Sequence, residues 1–278
     1  MDRRFLSLGL IFAVIPWGSA RAGSDIVIGR SAPASERVSI DQIDHSEWDA
    51  LLQKYCNENG MVDYTAWHRS TSDRQRLEKY LAQLSTADPK RSAKADAKMA
   101  FWINAYNAVT IDGILRVYPT TSIRNHTAKL FGYNIWDDLL LPVGDRNYSL
   151  NQMEHDVLRK MGDPRIHFAI VCASIGCPPL LNRAYQSQEL DSQLTANAKR
   201  FFGNRTKFQY DVSQKTMELS PILKWFSEDF GADQAALLRT ITPFLPDEPA
   251  QALAASGQVS VSYLDYDWGL NDQAAQPK

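Results

Sequence analysis

A chain of 278 residues that is 44% hydrophobic and 10% aromatic can bury a full-sized core, which excludes an intrinsically disordered chain. Its 30 Lys and Arg balance 32 Asp and Glu to a formal charge of -2 with the signs interspersed. It therefore lacks the basic stripe that marks a nucleic-acid partner.

Residues 1–22 read as a cleavable export signal. Arg3 and Arg4 supply the positive start, residues 5–15 a short apolar run, and Ala20-Arg21-Ala22 the small-x-small pattern that predicts cleavage after Ala22. The apolar run is short for a bilayer span and no comparable stretch follows. The expectation is a soluble mature chain, periplasmic or secreted, that spans no membrane. Residues 23–45 form an N-terminal extension, 46–271 a single globular domain and 272–278 a tail. Stretches 25–39 and 272–278, rich in small and polar residues, read as loose ends.

Helical periodicity over 46–58 puts Trp48, Leu51, Leu52 and Tyr55 on one face. A turn and short strand at 60–64 precede an amphipathic helix over 74–84, stopped by Ala87-Asp88-Pro89. The longest helix is expected over 93–117, and its 101–109 stretch is apolar nearly all round, the mark of a central, buried helix. Segments 133–143 and 146–148 then flank Gly144-Asp145 as a hairpin. Ser149 with Gln152 gives a capping box that opens a helix through 159 or 161. Gly162-Asp163-Pro164 ends it, and 166–172 reads as a buried strand. A helix at 187–202, a hairpin over 207–219, a short aromatic helix at 221–230, a helix at 234–245 and a strand at 259–266 follow. The sum is a helix-rich, single-domain α+β fold with its central helix packed on a small antiparallel or mixed sheet.

Groups capable of chemistry concentrate between His167 and Leu180. Cys177 closes a loop of small residues and is fixed by Pro178-Pro179; a loop thiol near an imidazole can be held as the nucleophilic thiolate. Cys172, on the apolar face with Ile170 and Phe168, reads as a packing residue. Three cysteines in an oxidising compartment leave one over. Either Cys172 and Cys177 close a small disulfide loop with Cys56 unpaired, or one of the close pair is a working thiol. His155, next to Glu154 in the capped helix, and His167 are the candidate bases. Asn104 and Asn107 share a face of the central helix, where they either pin loops through backbone groups or orient a catalytic group. The aromatic-acidic stretches 224–230 and 265–268 read mainly as cover for the core. No phosphate loop, Gly-x-Ser-x-Gly elbow or dinucleotide fingerprint is present.

The same residues carry a family resemblance. Val62-Asp63-Tyr64, Ala100-Phe101-Trp102-Ile103-Asn104-Ala105-Tyr106-Asn107, Ser149-Leu150 through Glu154-His155, Asp163-Pro164-Arg165-Ile166-His167-Phe168-Ala169 and Cys177-Pro178-Pro179-Leu180 are among its pieces. With the stretch from Leu219-Ser220 to Gly231 and Tyr266-Asp267-Trp268, they are similar to the family of domain of unknown function 547 (DUF547) from about residue 48 to 271. The likeness implies relatedness of fold and names no substrate. A central helix followed by a sheet is also similar, by analogy, to transglutaminase-like and papain-like thiol enzymes. Those place the nucleophile at the start of the central helix, where this chain, around 99–102, has no cysteine.

The leading expectation is a thiol-dependent hydrolase or acyl transferase acting on an amide, peptide or ester bond of a small-molecule or peptide substrate. Cys177 would be the nucleophile, His167 or His155 the base, Glu154 or Asn104 the orienting group, and backbone N–H groups of 174–177 the oxyanion donors. The alternative is a non-enzymatic periplasmic domain that binds a ligand or a protein, braced by a Cys172–Cys177 disulfide. A third expectation is a zinc-dependent hydrolase, although close Cys spacing and a His-Glu-x-x-His helix are both lacking. No cofactor and no metal-binding residue is assigned.

Overall fold

The computed structural model describes residues 25–127 and 134–275, so the expected export signal at 1–22 and the beginning of the 133–143 segment lie outside it. Strand β1 (Ile26–Val27) comes first, then three helices, α1 (Ser46–Tyr55), α2 (Tyr64–Arg69) and α3 (Thr71–Leu84). In α1 the stripe Trp48, Leu51, Leu52 and Tyr55 is buried, as its spacing predicts. Both α2 and α3 start on a side-chain cap, Asp63 accepting from Ala66 N and Ser70 from Asp73 N. The sequence suggests no helix at α2 because six residues are too few for a period to register.

Helix α4 (Ala95–Val117) is the axis of the molecule, with every residue from Ala100 to Leu115 buried. One turn of helix, α5 (Ile135–Asp138), capped by Asn134, replaces the first part of the expected strand. Strand β2 (Leu139–Val143) then turns through Gly144-Asp145 into β3 (Arg146–Tyr148), with Leu141 opposite Tyr148. Residues Ile26 and Val27 pair in parallel with Leu139 and Leu140. The 25–39 stretch is thus not a loose end: β1 covers the open edge of β2, and Ile28 behind it is buried. At the other terminus Asp272 bridges to Val62, and Gln273 N donates to Val62 O.

The second half contains α6 (Leu190–Phe202), β4 (Phe208–Asp211), β5 (Thr216–Leu219), α7 (Ile222–Trp225), α8 (Ser227–Phe230), α9 (Gln234–Ile241), α10 (Glu248–Ala255) and β6 (Ser260–Tyr263). Strand β5 lies between antiparallel β4 and parallel β6. The fold is the expected helix-rich α+β arrangement, with two three-stranded mixed sheets in place of one. Each sheet belongs to its own apolar cluster. One surrounds α4; the other gathers Phe168, Phe201, Phe202 and Phe208 with the helices of the second half. Tyr266 packs against both clusters, and the candidate site lies at that seam. Among the described residues no helix is long and apolar enough to cross a membrane.

Candidate functional site

The approach to the site departs from the sequence expectation. Residues Pro164–Phe168 form a 3₁₀ helix, not the start of a strand, because Asp163 caps its first turn and Pro164 is preset for that turn. Residues 169–171 then run on without a strand partner. Their backbone is served instead by Asn107 of α4, whose amide donates to Ala169 O (3.0 Å) and accepts from Val171 N (2.9 Å). Asn104 pins a second loop in the same way, donating to Tyr185 O (2.8 Å) and accepting from Tyr185 N (2.9 Å). Asn104 thus engages the Tyr185 backbone through both its amide nitrogen and its oxygen, and among the described residues it makes no hydrogen bond to a histidine.

After Val171 the chain turns sharply. Ala173 adopts a left-handed backbone (φ 58°), a conformation that costs a residue with a Cβ about 1 kcal/mol or more. The loop is zipped to residues 267–271 by Ile175 N to Gly269 O (2.7 Å), Gly176 N to Asp267 O (2.7 Å) and Asn271 N to Ala173 O (3.1 Å). Gly176 is required for this fit, since a Cβ there would lie 2.7 Å from the Tyr266 ring. Cys177 N donates to Ser174 O (3.1 Å). The N–H groups of Ile175, Gly176 and Cys177 are therefore engaged, and the oxyanion hole expected from this loop does not form from them.

What the loop builds is a cradle for sulfur. Cys177 Sγ is the hub: it accepts from Cys172 N (3.1 Å) and lies within reach of Ser174 Oγ (3.2 Å), Tyr266 Oη (3.2 Å) and Cys172 Sγ (2.7 Å). All three cysteines are free. Burial pushes the Cys177 thiol up, but hydrogen bonds from Cys172, Ser174 and Tyr266 together outweigh it and bring it down to about 6. Cys172 moves the other way, raised by its hydrogen bond to Cys177 and by burial, so it keeps its proton and directs it at its neighbour.

Cys177 lines a pocket of about 210 Å³ together with Cys172, Glu154, His155 and His167, walled by aromatic side chains from Tyr106, Trp225, Phe226 and Tyr266. His167 is 3% exposed, stacks on Phe226 (4.2 Å between centroids), and bonds through Nε2 to Asp229 Oδ2 at 2.7 Å. Arg159 holds that carboxylate from its other side through Nε (2.6 Å) and Nη2 (2.9 Å). Burial lowers the His167 pKa against the pull of Asp229, which leaves a neutral imidazole near pH 7. Burial raises Asp229, but Arg159 and His167 prevail and keep its carboxyl below the usual range.

Glu154 and His155 sit on a π-helix, Gln152–Leu158, entered through the expected capping box of Ser149 and Gln152. The wide π turn is a common functional irregularity. Glu154 is 8% exposed, and its Oε2 accepts from Tyr106 Oη (3.2 Å). Burial pushes its carboxyl up to about 7. His155 is exposed at the pocket rim, and its Nδ1 accepts from Arg159 Nη1 (3.1 Å). The pocket thus gathers four of the five candidate residues, Cys177, His167, His155 and Glu154; Asn104 is not in its lining. Among the described residues no hydrogen bond joins either histidine to a cysteine of the cluster.

Five residues of the site come from stretches that read as core cover: Trp225, Phe226 and Asp229 from 224–230, and Tyr266 and Trp268 from 265–268. Their signal in the sequence is a carboxylate or phenol inside an aromatic run, where a buried polar tip needs a partner. No group of three or more His, Cys, Asp or Glu side chains able to hold a metal ion occurs among the described residues. Residues 90–202, which include α4, the π-helix and the cysteine loop, match the family described as "Protein of unknown function, DUF547". No curated protein and no solved structure matches the chain.

Proposed function

We propose that this chain, whose residues 90–202 match the DUF547 family, is a cysteine-dependent hydrolase or acyl transferase acting on an amide, peptide or ester. The observation that carries this reading is the set of donors around Cys177 Sγ, which favours the thiolate in the wall of an aromatic pocket. In the first step Sγ attacks the substrate carbonyl carbon, and the electron pair moves to oxygen. Collapse of that intermediate forms a thioester and expels the amine or alcohol, which takes its proton from Glu154. The neutral His167, oriented by Asp229, then accepts a proton from water or an acceptor nucleophile as that group attacks the thioester and returns the thiolate, and passage of this proton through solvent to the ionised Glu154 restores both groups. Support for an extracytoplasmic setting is the leader pattern of residues 1–22 alone.

The test is labelling of the native protein with iodoacetamide, followed by peptide mapping. Modification at Cys177 with a midpoint near pH 6, and loss of p-nitrophenyl acetate turnover in Cys177→Ala, is the expected result. An unreactive Cys177, or a Cys177→Ala variant as active as the parent, overturns the reading.

The 2.7 Å contact between Cys172 Sγ and Cys177 Sγ favours a second reading, a binding domain in which the pair is oxidised to a brace. Under it, native protein would lack the two thiol hydrogens by mass, and the Cys172→Ala, Cys177→Ala double variant would lose stability but keep its ligand.

A further inference from the structure

The Cys177-Pro178 segment also borders a second, larger cavity of about 630 Å³. Its charged lining is Arg200, Arg205 and Lys207 against Glu58 alone. Lys207 is the unusual member. It is 5% exposed, its Nζ donates to Ile175 O two residues before the nucleophile, and no carboxylate lies within ion-pair distance of it among the described residues. Arg200 is likewise bonded to neutral acceptors, Glu58 O and Asn197 Oδ1. A buried ammonium is costly unless an anion meets it. Burial lowers its pKa; Cys177 and Asp267 oppose that without touching it, and the Asp267 carboxylate is bonded to Gly269 N. The cavity itself is built closely against the cysteine loop: Gly60 has φ +77°, and a Cβ there would lie 2.5 Å from Pro179 Cα.

We propose that this cavity takes the anionic end, a carboxylate or phosphate, of the same ligand whose carbonyl reaches Cys177. Lys207 is its buried anchor, and Arg200 and Arg205 attract the charge at the mouth. The ligand is thus bipartite, with an apolar or aromatic part on the Trp225 side of Cys177 and an acidic part on the Lys207 side. The inference rests on the thiol-enzyme reading for the link to Cys177, but its test does not use the thiol.

Isothermal titration of the purified protein at low ionic strength, with inorganic phosphate and separately with glutarate, reads the site directly. At least one of the two anions is expected to bind, about tenfold more weakly to Lys207→Gln and several-fold more weakly to Arg205→Glu. Arg205 is exposed, so its variant keeps the test open if Lys207→Gln does not fold. Absence of binding by both anions, or equal binding by parent and Arg205→Glu, overturns the inference. A chain that binds phosphate or glutarate with an unreactive Cys177 defeats the catalytic reading alone. One with a reactive Cys177 and no anion binding defeats this inference alone.

Discussion

His167 Nε2 and Asp229 Oδ2 lie 2.7 Å apart, although 62 residues separate them in the chain. The 3₁₀ helix after Pro164 delivers the imidazole, and α8 delivers the carboxylate. Arg159 closes the arrangement from the π-helix side, so the histidine cannot turn without breaking a charge-assisted network.

Asp229→Asn tests that orientation. The carboxylate raises the histidine's proton affinity, so its removal lowers the His167 pKa further. Turnover of p-nitrophenyl acetate is expected to fall about a hundredfold or more, by comparison with the loss of an orienting carboxylate in other nucleophile–histidine enzymes. Labelling of Cys177 is expected to stay within a few-fold of the parent. Equal loss of turnover and labelling would mean that the substitution has disturbed the whole pocket and that His167 has no separate role.

The hydroxyl of Tyr266 stabilises the Cys177 thiolate in the proposed scheme, and Gly176 leaves room for its ring. Tyr266→Phe should therefore raise the labelling midpoint from about 6 by about one unit, the worth of one hydrogen bond to a charged acceptor. Gly176→Ala should shift it in the same direction by displacing the ring. The measurement is the iodoacetamide rate against pH, and an unmoved midpoint in Tyr266→Phe removes the phenol from the scheme.

These two segments show where the sequence is legible. The period of α4, the hairpin at Gly144-Asp145, the hairpin of β4 and β5 and the Ser149 capping box are local patterns, and each appears where its residues predict. The pairing of β1 with β2, the pairing of Asp229 with His167 and the placement of Tyr266 over Cys177 are long-range events. Their residues carry no period, and an acidic or phenolic side chain in an aromatic run reads equally well as surface cover. The 166–172 stretch misleads for another reason. Its apolar run suits a strand, but the Asp163-Pro164 start wins locally and an asparagine side chain then takes the place of a neighbouring strand.

Asn107→Leu tests that substitution of side chain for strand. The variant keeps the number and branching of the side-chain heavy atoms but leaves Ala169 O and Val171 N buried without the partner they now have. Each unmet backbone group costs about 1–3 kcal/mol, so a loss of about 2–6 kcal/mol is expected in urea unfolding. A change below about 1 kcal/mol for Asn107→Leu would show that the 169–171 backbone finds other partners.

Glu154 ties the site to stability through pH. Burial sets its carboxyl at about 7 in the fold, against 4.5 when free. Between those values the folded chain holds a proton that the unfolded chain has released, so its contribution is full below pH 4.5 and declines as pH rises through 7. The decline amounts to about 3 kcal/mol. Glu154→Gln cannot ionise, and its stability relative to the parent should therefore improve between pH 4 and pH 8.5 by about that amount, measured by urea unfolding at both pH values. The same variant separates chemistry from stability. Parent turnover of an amide should trace a narrow bell, rising as Cys177 ionises near 6 and falling as Glu154 loses its proton near 7. In Glu154→Gln amide turnover should collapse while thiol labelling still rises through 6, because alkylation needs the thiolate and no acid. A variant that retains the falling limb assigns the proton donor to another group in the pocket.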